Sequence, residues 1–147
     1  DVFGAVLEPE PWLLTLRHVR RLRRISEGDP SGLGRTYATE VGTVPYRLRW
    51  RMEAVEVERP TRFVWLATGD LAGRGQWMLT AVAAGTLVTS RWHVRATRTF
   101  MRGLAPVARP LFVHNHDRVM QAGTERLADH LGAVVLEFTS THLQHGT

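Results

Sequence analysis

Neither cysteine nor lysine occurs among the 147 residues. Without cysteine there are no disulfides and no thiolate ligands, which leaves His, Asp and Glu for any metal and suits a reducing compartment such as the cytoplasm. Without lysine, all nineteen basic residues behind the net charge of +5 are arginine, a usage that reads first as coding bias. A nucleic-acid binder more often mixes the two and clusters them on one face. Only "RHVRRLRR", Arg17 to Arg24, is dense enough to suggest binding to nucleic acid or an acidic membrane. Apolar runs fall short of a membrane span, and the opening "DVFGAVLEPEPW" lacks the order of a signal peptide. No G-x-S-x-G elbow is present, so covalent catalysis has no visible nucleophile.

The length is that of a single domain, and a soluble protein is expected. Pro9 and Pro11 divide the first sixteen residues into two short helices, "DVFGAVLE" and "PWLLTL". From Val19 a bent strand is expected, ending in the turn chemistry of "EGDPSGLG". Strand-like runs follow from Arg35 to Val41, then from Tyr46, where Leu48, Trp50 and Met52 alternate with Arg47, Arg49 and Arg51. "FVWLATG" is apolar on both faces, and "GDLAGRG" reads as a hairpin into "QWMLTAV". It leads to a strand and not to a helix, so it is no phosphate loop; its glycines supply positive φ or clear space in a curved sheet. In the last strand Val88, Ser90, Trp92 and Val94 oppose Thr89, Arg91, His93 and Arg95. A long helix then runs from Pro110 to Gly132. The arrangement is α+β, with consecutive antiparallel strands wet on one face.

Taken in order, "VPYRLRW", "ATGDLAGRGQW", "GTLVTSRWHV" and "LAPVARPLFVHNHDRVM" resemble the START-like, or SRPBCC, superfamily, in particular its polyketide cyclase/dehydrase-like branch. The resemblance spans residues 1–132 of a single START-like domain and leaves 133–147 as a tail. It implies a helix-grip fold, in which a curved antiparallel sheet wraps around the long C-terminal helix, with two short N-terminal helices and a deep apolar cavity. Family members begin with a strand before the first short helix. None precedes Asp1 here, and the β-prone "AVVLEFT" after Gly132 is a candidate substitute.

Combining the alternation with that cavity marks Tyr46, Leu48, Trp50, Met52, Trp77, Leu79, Val88, Trp92, Val94, Phe112, His116 and Met120 as ligand-lining. The partner expected is a hydrophobic, lipid-like or aromatic small molecule, and no cofactor is implied. The arginines of the opposite face read as solvated surface, and His93 with them.

The "HNHD" run looks like a metal or acid/base cluster until helix geometry is applied. At about 100° per residue, Phe112, Val119, Met120, Gly123 and Leu127 share one face with His116 near its middle. His114 points about 160° away from His116, so the two cannot share an ion. Only His114 and Asp117 have ligand spacing, and they lie toward the surface. Asn115 and Asp117 flank the apolar face as anchors to neighbouring strands or loops. His116 stands either as a buried, structurally paired imidazole or as the acid/base of a cyclase or dehydratase. A carrier or sensor and an enzyme are both consistent with this pattern. Replacing His116 with Phe separates them: a catalytic imidazole predicts lost turnover with retained affinity, measured by substrate assay beside ligand titration.

Overall fold

The computed structural model describes residues 1–43, 46–97 and 117–140, with no side-chain description at Thr43 and Tyr46. Two short helices, α1 (Val2–Leu7) and α2 (Glu10–Leu13), precede six strands. These are β1 (Val19–Ser26), β2 (Thr36–Thr43), β3 (Tyr46–Glu58), β4 (Arg62–Gly69), β5 (Leu71–Val82) and β6 (Gly85–Ala96). A further helix, α3, occupies residues 117–131. The protein is thus α+β, as its sequence pattern predicts.

The strands form one curved antiparallel sheet in chain order. The expected bend of β1 appears as register shifts between Val19 and Arg21 and between Arg24 and Ser26. Register sets the faces. Tyr37, Met52, Ala67, Gly73 and Val94 lie in one row across β2 to β6, and Ala54, Trp65, Gly75 and Trp92 form the next. Because successive residues alternate sides, both rows belong to one inner face, and Arg47, Arg49, Arg51, Arg91 and Arg95 fall on the other.

Asp1 caps α1 by accepting from the Phe3 amide at 3.0 Å. The helix then directs Phe3, Val6 and Leu7 into the core. Phe3 meets Phe63 edge to face, with ring centroids 5.4 Å apart. The Trp12 indole donates to the Ala5 carbonyl at 2.8 Å, which fixes α2 against α1. α3 lies over Trp12 and Leu16: a Cβ at Gly123 would be 3.7 Å from the Trp12 ring. Leu127 is buried beside it and Leu131 packs on the same core.

Tyr37 joins the helices to the sheet. It is fully buried, and its hydroxyl donates to Glu10 at 3.0 Å. Glu10 also receives Arg24 at 2.7 Å, and that guanidinium lies 5.7 Å from the Tyr37 ring centroid. Of the five arginines from Arg17 to Arg24, four are exposed and Arg24 is half-buried. Arg24 turns inward because a half-buried carboxylate needs a cation.

Helix α3 ends where the sequence predicts, at Gly132 with φ +65°. The substitution of the tail for a first strand is overturned, since Val134 to Thr139 joins no strand. After the reversal at Gly132, the Ser140 hydroxyl donates to Asp117 at 2.6 Å, bringing the tail back to the start of the described helix. Asp117 is an anchor, as expected, with the tail as its partner.

Burial alone would push the Glu10 carboxyl up, but hydrogen bonds from Arg24 and Tyr37 hold it below the ordinary value of 4.5. Its contribution is therefore complete above pH 4.5 and fades as pH falls through the lower folded value. Glu10→Gln is expected to cost about 1–3 kcal/mol at neutral pH, with the gap to wild type narrowing well below pH 4.5. Urea unfolding at the two pH values measures this, and an equal gap at both would contradict it.

Candidate functional site

The inner face divides into two halves. On the β2–β4 side Tyr37, Met52, Ala54, Phe63 and Trp65 are buried beneath α1. Aromatic contacts bind this half, with Tyr37–Trp65 and Phe63–Trp65 centroids each 5.8 Å apart in edge-on geometry. Towards β5 and β6 the cover is incomplete. Trp77, Val88, Ser90 and Trp92 are only half-buried, and Val94 is 40% exposed although it lies on the inner row.

The glycines of "LAGRG" shape the second half. β5 begins at Leu71, so the segment read as the hairpin lies inside the strand, and the turn is confined to the residues around Asp70. Gly73 has φ +150°, a conformation that disfavours a side chain, and its missing Cβ lets the β6 backbone approach. Gly75 is buried under Trp92, whose six-membered ring fills the space a Cβ would take. Trp77 stacks on Phe63 at 6.0 Å with 8° between the ring planes. One indole therefore lies across a glycine and the next rests on a phenyl ring.

Polar groups on this face are few. Trp77 Nε1, Ser90 Oγ, Trp92 Nε1 and Thr39 Oγ1 are shut off from solvent and have no hydrogen-bond partner among the described residues. Trp77 and Ser90 are direct partners in the β5–β6 ladder, and Trp92 follows Ser90 by two residues on the same side. Thr39 lies across the sheet, opposite Trp50. The inner positions of β3 to β6 carry no His, Asp, Glu or Arg.

Of the residues marked from sequence, Trp50, Trp77, Val88, Trp92 and Val94 share the inner face with Met52 and Leu79, which are core. Leu48 and Met120 are half-buried. The Tyr46 side chain, Phe112 and His116 lie outside the described residues, as do His114 and Asn115. His93 is exposed, as expected. Trp65 and Phe63 escape the sequence pattern, because a strand apolar on both sides hides which face is inner. Ser90 falls on the predicted face, where alternation alone assigns it no role.

The outer face is chemically mixed. Arg47 and Arg49 reach the buried Glu40 at 3.5 and 3.2 Å, while Arg62 and Arg74 reach Glu56 at 2.7 and 3.2 Å. An open hollow of about 580 Å3 there is lined by Arg21, Glu40, Arg47, Arg49, Arg51 and Thr68 among others. An acid at its centre makes it a poor cradle for an anion. Among the described residues no three His, Asp or Glu side chains converge on a metal position. None of the described helices is long and apolar enough to cross a membrane.

No family model and no curated protein matches the chain. The crystal structure of TTHA0849 from Thermus thermophilus superposes with a TM-score of 0.70 over 88% of each chain, at 17% identity. At that identity the likeness concerns the fold alone.

Gly75→Val would force Trp92 off the strand. The expected result is a loss of about 1–3 kcal/mol from overpacking with a red-shifted tryptophan emission, read by urea unfolding and fluorescence. Unchanged emission and stability would show that Trp92 does not depend on this glycine.

Proposed function

We propose that this protein is a helix-grip, START-like domain that holds a hydrophobic, lipid-like or aromatic small molecule between the inner face of the sheet and α3, as a cytoplasmic carrier or sensor. One observation carries the reading: the inner face is aromatic from β2 to β6, yet among the described residues helices bury only one half of it. Half-buried indoles on a concave face form the kind of wall on which flat apolar ligands stack. Plain core packing would bury Val94 and Trp92 as fully as it buries Phe63. The likeness to TTHA0849 supports the architecture and adds nothing on the ligand.

The carrier reading is preferred to the cyclase one. With no His, Asp, Glu or Arg on the inner positions of β3 to β6, acid/base chemistry near neutral pH would have to come from outside those four strands, from His116 in the cyclase reading. The site as described has aromatic walls and neutral donors, which suit holding more than proton transfer.

Native mass spectrometry and solvent extraction of purified protein are expected to reveal an apolar adduct, and anilinonaphthalene sulfonate to gain fluorescence on binding. The double variant Trp77→Ala/Trp92→Ala should weaken probe binding by about tenfold, in line with losing two stacking partners. Absence of both adduct and probe binding would overturn the reading.

A further inference from the structure

The polar atoms of the β5–β6 half say more than that the ligand is apolar. An indole N–H can only donate, and the chain treats a structural one accordingly: Trp12 Nε1 finds the Ala5 carbonyl at 2.8 Å. Among the described residues Trp77 Nε1 and Trp92 Nε1 find nothing, and neither does the hydroxyl of Ser90 between them. A buried donor left unpaired costs more than the net contribution of the hydrogen bond it lacks, so single examples are uncommon and each needs a cause. Here three occur in one patch. Ser90 faces Trp77 directly across the ladder and Trp92 is its neighbour on the same side, so the three side chains spring from positions within about 5–8 Å of one another.

We infer that the ligand carries a neutral carbonyl oxygen that enters this patch and accepts from Trp77, Trp92 and Ser90. The inference rests on the hydrophobic-ligand reading above and specifies its polar end. A carbonyl oxygen has two lone pairs, enough for both indoles, and the Ser90 hydroxyl rotates to meet a further oxygen or the same one. A carboxylate or phosphate does not fit. The inner positions of β3 to β6 hold no cation, and an anion buried without one incurs a desolvation cost that neutral donors do not offset. Arg24, on the far side of the inner face, is already committed to Glu10 at 2.7 Å. A pure hydrocarbon would leave all three donors unpaired. The aromatic surroundings, with Trp77 stacked on Phe63, favour a carbonyl set on or beside a flat ring.

Three probes of nearly one shape test this on the full chain: fluorene, fluorenone and fluorene carboxylate, titrated by quenching of tryptophan emission and by calorimetry. Fluorenone is expected to bind about tenfold tighter than fluorene, and the carboxylate no tighter than fluorene. Trp77→Phe and Trp92→Phe keep a ring without the N–H, so each should shrink the fluorenone preference, and the double variant should abolish it while fluorene affinity changes little. Ser90→Ala, the mildest change, should by itself reduce the preference about threefold. It keeps the test decisive if a tryptophan variant folds poorly.

Equal binding of fluorene and fluorenone to the wild type would overturn the carbonyl inference and leave the hydrophobic site standing, with a trapped water as the partner of the donors. A preference that survives the double variant and Ser90→Ala would also overturn it. Failure of all three probes to bind would count against the ligand site itself, and this inference would fall with it.

Discussion

Tyr37 occupies the point where helices meet sheet, and its hydrogen bond to Glu10 settles which half of the inner face is closed. The phenol is fully buried and so must bond to something. Glu10 stands at the first position of α2 and answers it. That carboxylate in turn needs Arg24 from β1, and the three groups tie α2, β1 and β2 together. With α2 pinned there, α1 drops Phe3, Val6 and Leu7 onto Phe63 and its neighbours. The β5–β6 half is left less buried. A single part-buried polar triad thus separates the fully packed half of the inner face from the half-buried one.

Period-two alternation makes much of this visible in the residues themselves. Trp50, Trp77 and Trp92 on one side and the arginines on the other follow from the strand pattern, and the register agrees. What alternation does not encode is pairing between distant elements. Arg24 reads as one more solvated arginine because its partner lies fourteen residues earlier, in another element. Gly73 and Gly75 do supply the positive φ and the cleared space that their sequence suggests, but the sequence does not say that the space goes to the β6 backbone and to the ring of Trp92, nor that both glycines lie inside β5. The unpaired donors at Trp77, Ser90 and Trp92 belong to the same class: only three-dimensional burial reveals that no described residue meets them.

The lysine-free surface has a structural side. Arg62 and Arg74 converge on Glu56, and Arg47 and Arg49 on Glu40. Each guanidinium is planar, with several donors, and its long stem covers apolar surface beneath it. Val64, which alternates onto this outer side, is 4% exposed. The paired arginines thus contribute cover to the back of the sheet.

The strand order has a kinetic meaning. Because every strand pairs with its neighbour in the chain, the sheet can be built hairpin by hairpin, each new strand needing only the one just made. Such a sheet loses little loop-closure entropy at any step. The stable, helix-covered half involves the earlier strands, whereas the indole patch is complete only once β6 has joined β5. A chain made from its N-terminus would therefore have its rigid half largely assembled before the indole patch exists, and α3 follows as the last described helix.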